Sequence, residues 1–282
     1  MLGIIGGSGL YALPAIEHVE RHHVATPFGL PSDSIVSGRI AGNDIAFLSR
    51  HDVGHRLAPS EIPYAANVCA MKMVGVTRLV SISAVGSLRE RLKPRSFVVP
   101  DQTIDRTVGR RRSFFGDGAV AHVSLADPFC PELSCWLADC AMAGGLSVST
   151  GGTYVCIEGP QFSTRAESKL FRAWGASIVG MTALPEARLA REAELCYACL
   201  AMVTDYDVWH AQEGPVNVQG VLENLAVMTD AVQTIIMTLA QRPSHVCASG
   251  CASALEGAIV TNTETIGRDT RKRLDPIASR YW

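Results

Sequence analysis

Several stretches of the chain are nearly continuous apolar runs that stop in a polar or glycine-rich turn: LGIIGG, IAFLSRH, RLVSISAVGS, SFVVPD, GTYVCIEGP, ASIVGMT and CYACLAMVTDYD. Their length and β-branched content predict strands. Between them PSEIPYAANVCAMKMVG, PELSCWLADCAMAGG, STRAESKLFRAWG, LPEARLAREAEL and VQGVLENLAVMTDAVQTIIMTLAQR carry apolar residues at helical spacing. Thr164 and Glu167 make a capping-box pattern, and Pro185 with Glu186 suits a first helical turn. Strands that do not alternate are covered on both faces, so the order of elements predicts an α/β sandwich around a buried sheet. No linker or repeat divides it. Residues 1–241 read as one domain; from 242 to 282 the rhythm is lost, and this tail is expected to be peripheral or partly ordered.

The 282 residues are 48% apolar, and 25 Lys plus Arg nearly balance 27 Asp plus Glu. That balance gives no electrostatic reason to expect nucleic acid or an anionic membrane as a partner. A small polar molecule fits better. No run approaches the roughly 20 apolar residues of a membrane span, and the first residues lack a leader pattern, so a cytoplasmic location is expected. Nine cysteines are present. Cys130, Cys135 and Cys140 lie five apart in a helical stretch and cannot together grip one metal, while Cys196 and Cys199 in a strand face opposite sides. The thiols read as buried or unreactive, with disulfides as the alternative, and no metal site is assigned.

In such sheets ligands collect beyond the strand ends, which singles out Ser8, Arg50, His51, Ser83, Thr182, Asp205 and Asp207. Gly7, Gly9 and Ala12 can be forced into a dinucleotide fingerprint, but no second strand with a terminal acid follows. What remains is a tight turn whose backbone N–H groups and Ser8 hydroxyl could meet an anion. Arg50 and His51 suit an oxyanion, or else are a surface Arg and a structural His. His51 and His55 have helical metal-pair spacing, yet Gly54 disfavours the helix. RTVGRRRS, with Arg106, Arg110, Arg111 and Arg112, reads as a solvated loop. Asp205 and Asp207 face one side if the strand persists, and two carboxylates so close would raise at least one pKa. The bland alternative is a pair of cap or turn acids.

These stretches, with TPFGLPSD, SRHDVGHRLAPSEIPYAAN, PDQTIDRT, HVSLADPFCPE and TYVCIEGPQFSTRAES, resemble the 5'-methylthioadenosine phosphorylase family of the trimeric purine nucleoside phosphorylases, colinearly over about residues 1 to 240. The resemblance implies a three-layer sandwich with a central mixed sheet flanked by helices, a homotrimer, and phosphorolysis of S-methyl-5'-thioadenosine to adenine and 5-methylthioribose 1-phosphate. It implies no cofactor, phosphate being a co-substrate. Phosphate would fall to Ser8, Arg50, His51, Ser83, Ala84 and Thr182. The nucleoside would meet Phe162, Met181, Asp205 and Asp207, with Asp207 as the acid at purine N7. Specificity would involve Ser163, Val218, Val221 and Leu222, and His122 reaching in from a neighbouring subunit. Asp52, Ala65 and Gln161 depart from the family pattern; Asp52 would weaken phosphate binding if it pointed inward. The alternatives are a broader purine nucleoside phosphorylase acting on adenosine, 5'-deoxyadenosine or inosine, and a nucleoside-binding protein without turnover.

Overall fold

The computed structural model describes residues 1–7, 16–243 and 247–282. In chain order the elements are β1 Leu2–Gly6, β2 Glu17–His22, β3 Ile35–Ile40, β4 Asn43–Ser49, α1 Tyr64–Met73, β5 Arg78–Ser87, β6 Phe97–Val99, β7 Gln102–Arg106, α2 Pro131–Ala143, β8 Val148–Thr150, β9 Thr153–Ile157, α3 Arg165–Ala173, β10 Ile178–Gly180, α4 Ala183–Glu192, β11 Cys196–Asp205, α5 Val218–Ala240 and α6 Arg268–Ala278. Each apolar run is a strand and each amphipathic stretch a helix. The Thr164 hydroxyl and Glu167 carboxylate cap α3 reciprocally, and the regular turns of α4 begin at Pro185, after an extended Leu184.

All described strands join one mixed sheet, in the order β2-β3-β4-β1-β5-β10-β9-β7, with β11, β6 and β8 branching from β5. β1 runs parallel to β4 and β5, and β5 parallel to β11, whereas β10 meets the end of β5 antiparallel. Residue period two divides β11 between two cores. Tyr197, Cys199, Ala201 and Val203 pack with α1, α4 and α6; Cys196, Ala198, Leu200 and Met202 pack with α2 and α5. Helices therefore cover both faces, as unalternating strands require. Cys196 and Cys199 do face opposite sides.

Four strands and one helix escape the periodicity reading. β2 lies in EHVERHH, which looks unpatterned because this edge strand is exposed along nearly its whole length and has no core face. A bulge between Glu17 and Glu20, with His18 at φ 53°, interrupts its pairing to β3. β3, β7 and β8 are short or only half-buried. In the tail, α6 packs against α1, and Cys251, Leu255, Leu274 and Ile277 are buried. The tail's described residues thus contribute to both cores, despite their polar composition.

RTVGRRRS is not simply solvated. Arg110 is buried and donates to the carbonyls of Met181, Leu184 and Glu158 and to the Tyr64 hydroxyl. A planar guanidinium can satisfy several orphan carbonyls at once, which a count of charges cannot reveal.

Candidate active site

Carboxyl ends of the parallel strands β1, β4, β5 and β11 open onto a cleft of about 710 Å³, with the β10–α4 junction alongside. Its lining includes Gly7, Arg50, His51, Ser83, Ala84, Phe162, Ser163, Met181, Thr182, Asp205, Asp207, Val218, Val221 and Leu222. One cavity thus gathers nearly every residue singled out from the sequence. Ser8 lies outside the described residues, and His122 is exposed and does not line this cleft.

Arg50 follows β4 and is fully buried. Nε and Nη2 meet the two carboxylate oxygens of Glu186, at 3.0 and 3.2 Å, and Nη2 also donates to Ile5 O and Ser81 Oγ. The paired face of the guanidinium is therefore turned away from the cleft. Burial opposes its charge, but Glu186 outweighs this and holds the pKa above its ordinary value. Nη1 carries two hydrogens and uses one on Ile82 O, leaving one N–H for the cleft among the described contacts. Any grip of Arg50 on an anion is single-pronged, not the fork-to-fork contact its chemistry suggests in isolation.

His51 Nδ1 lies 2.8 Å from Leu57 O, which can only accept, so Nδ1 carries the proton. Burial, followed by the Arg50 charge, lowers the pKa to about 4. At neutral pH the ring is uncharged and Nε2 is an acceptor, suited to the O–H of a hydrogenphosphate. Asp52 adopts φ 64° and its carboxylate pairs with Arg56; it does not line the cleft.

The antiparallel pairing of β10 with β5 brings Thr182 beside Ser83. Their hydroxyls are 3.0 Å apart, and Ser83 Oγ is 3.1 Å from Tyr154 Oη. Gly180 makes this cluster possible: a Cβ there would stand 2.1 Å from Tyr154 Oη. Gly86 acts similarly for Asp205, since its Cβ would lie 2.8 Å from Oδ1.

β11 does not persist through both acids. A register shift precedes Asp205, the strand ends there, and Asp207 turns into the left-handed region at φ 50°. Both carboxyls nevertheless reach the cleft. Asp205 Oδ1 accepts from the Asp207 N–H at 2.8 Å and Oδ2 from the Thr204 hydroxyl at 2.7 Å. Asp207 Oδ2 is buried with no hydrogen-bond partner among the described residues. Both pKa values are raised, chiefly by burial. For Asp205 mutual repulsion is a minor contribution, and at Asp207 the nearby Ser168, Val208 and Ser163 donors pull the other way. Desolvation, rather than like-charge proximity, is thus the main cause.

Sequence reasoning missed Tyr154, Glu186 and Tyr197. Tyr197 Oη donates to Glu186 Oε1 at 2.9 Å, steadying the carboxylate that steadies Arg50. Glu186 could have been found: it precedes Leu189, Ala190 and Ala193 at helical spacing, so a charge sits on an apolar stripe.

The family model of the phosphorylase superfamily matches residues 1–241. An S-methyl-5'-thioadenosine phosphorylase of Chloroflexus aurantiacus is 50% identical, covering 100% of this chain and 98% of the relative. The chain belongs to the S-methyl-5'-thioadenosine phosphorylase family. Another member, from Gloeobacter violaceus, is 49% identical over 99% of this chain and 95% of its own length. A methylthioadenosine phosphorylase crystal structure from an antarctic soil metagenomic library superposes with a TM-score of 0.91 at 47% identity, covering 98% of both chains. The family fold is therefore shared with a solved structure along almost the whole chain. The Schistosoma mansoni methylthioadenosine phosphorylase in complex with adenine gives 0.86 at 35% identity, over 92% of this chain and 98% of that one.

Proposed function

We propose that this cleft carries out the phosphorolysis of S-methyl-5'-thioadenosine. A phosphate oxygen attacks C1' as the C1'–N9 bond breaks, giving adenine and 5-methylthioribose 1-phosphate. Ser83, Thr182, His51 Nε2 and the Arg50 Nη1–H left over among the described contacts receive the phosphate, with Ala84 beside them; Ser8, outside the described residues, is given a phosphate contact on the family resemblance alone. Hydroxyls and one N–H of a charge-balanced arginine suit an anion that must stay nucleophilic. Asp205, ionised, accepts from the 6-amino group. Asp207, protonated, donates to N7 as negative charge builds on the leaving purine. Phe162 and Met181 flank base and ribose. Val218, Val221 and Leu222 face the 5'-substituent, and Ser163 lies against the base end.

The observation that carries this reading is the buried Oδ2 of Asp207, unpartnered among the described residues, in the same cleft as the Ser83–Thr182 hydroxyl pair. Burial favours the protonated form of this carboxyl against the pull of the donors near it, and a proton on Oδ2 can be donated. We also propose a cytoplasmic homotrimer in which His122, exposed and outside its own chain's cleft, reaches a neighbour's. No described helix is long and apolar enough to cross a membrane.

Adenine release from methylthioadenosine with and without phosphate, beside the same assay on inosine, tests the reading. Release is expected only with phosphate and far faster than from inosine. Phosphate-independent release would mean hydrolysis. Equal turnover of inosine would remove the role given to Asp205.

A further inference from the structure

The four thiols of Cys130, Cys196, Cys247 and Cys251 converge: their sulfurs all lie within 4.8 Å of one another. They come from separate places. Cys130 is the N-cap of α2, Cys196 opens β11, and Cys247 and Cys251 belong to the tail, Cys251 starting a short 3-10 turn. The Cys130–Cys247 and Cys247–Cys251 separations are 3.4 and 3.9 Å. A tetrahedral ion with metal–sulfur bonds of about 2.3 Å requires sulfurs about 3.8 Å apart. These distances bracket that edge and are too short for a multinuclear cluster to fit between the sulfurs.

The surroundings match thiolates rather than casual apolar thiols. Backbone N–H groups of Leu133 and Ser249 point at the sulfurs of Cys130 and Cys247, at 3.5 and 3.4 Å, and Arg191 Nη1 approaches Cys251 Sγ at 3.7 Å. Cys130 also sits at a helix N-terminus, where negative charge is favoured. None of the four lines the cleft.

We propose that Cys130, Cys196, Cys247 and Cys251 bind one Zn²⁺ as a closed tetrathiolate site that ties the C-terminal tail to α2 and β11. Binding forms four Zn–S bonds and releases one proton from each thiol, leaving a doubly negative centre that Arg191 and the α2 N-terminus offset. With four protein ligands and no open position the ion is structural. Only Cys247 and Cys251 are local in sequence, four apart; the other two are contributed by the core. That is why spacing alone does not disclose the site.

Elemental analysis of the full chain, purified under reductant without chelator, is expected to give about one zinc per chain. Cobalt exchange should add sulfur-to-cobalt charge-transfer bands and a tetrahedral d–d envelope. Cys247→Ser and Cys251→Ser, each exposed to the same metals, should lose the bound ion and the bands, and chelation of the parent should lower its melting temperature. Two disulfides among these residues in intact-mass analysis would overturn the site. So would a reduced chain that takes up neither zinc nor cobalt, or a zinc ion retained in both serine variants.

Discussion

At one end of the cleft the polar side chains are held from behind: Arg50 by Glu186 and Ser81, Glu186 by Tyr197, Ser83 by Tyr154. At the other, Asp207 keeps an oxygen unpartnered among the described residues, Phe162 is 42% exposed and Val218 63% exposed. The first end is preorganised before any ligand arrives, so binding there requires little reordering. The second leaves apolar surface and an incompletely hydrogen-bonded carboxyl for the ligand to complete. Selectivity is therefore expected to concentrate where the protein alone is unfinished.

The strongest way to break this contrast is Asp207→Asn. An amide can still hydrogen-bond N7 but cannot transfer a proton, so kcat should fall by about 10²- to 10⁴-fold. The alkaline limb of the parent's rate profile, reflecting loss of a proton from a carboxyl held above its usual range, should vanish with it. Undiminished turnover would defeat the acid role. Glu186→Gln probes the preorganised end without touching the cleft. It leaves a buried guanidinium uncompensated, which costs about 3–5 kcal/mol. Denaturant melts showing a negligible change would mean that the anion end is not held as described.

A third prediction concerns pH. Folded His51 titrates at about 4 and the free side chain at 6.5, so between these values the unfolded chain binds the extra proton. Stability should fall as pH drops through this window, by on the order of 3 kcal/mol from His51 alone. His55 acts in the same direction. Asp205 and Asp207, with raised values, oppose it: their contribution is present at low pH and is lost as pH rises. Melts of His51→Gln against the parent isolate the histidine, and parallel stability curves would refute its assignment. Least of all, Leu222→Ala at the open end should lower kcat/KM for methylthioadenosine about three- to tenfold, leaving adenosine less affected. Equal losses on both would place Leu222 in general packing.

The buried strands and their covering helices were legible because a sheet enclosed on both faces produces long apolar runs. β2 was not, since a strand with no core face leaves no period to detect. Candidate site residues were legible where polar groups ended such runs, as at Ser83 and Asp205. Their supports were less so. Tyr154 and Tyr197 look like ordinary core aromatics until their hydroxyls are located, and the fork of Arg50 looks available until Glu186 is found behind it. Arg110 shows the converse: a run of charges suggests solvent, while one member bonds carbonyls from two segments and a hydroxyl from a third, all distant in sequence. Local pattern reports burial well and long-range hydrogen-bond partners poorly.

β2 forms the outer margin of a wide sheet, where unpaired backbone could recruit another molecule's strand. Its Glu17, Glu20 and Arg21 are exposed, and the bulge at His18 twists the edge away from a flat template. Charge and curvature there hinder edge-on polymerisation. The segment least readable as a strand is thus the one whose charges and bulge guard the sheet's outer margin.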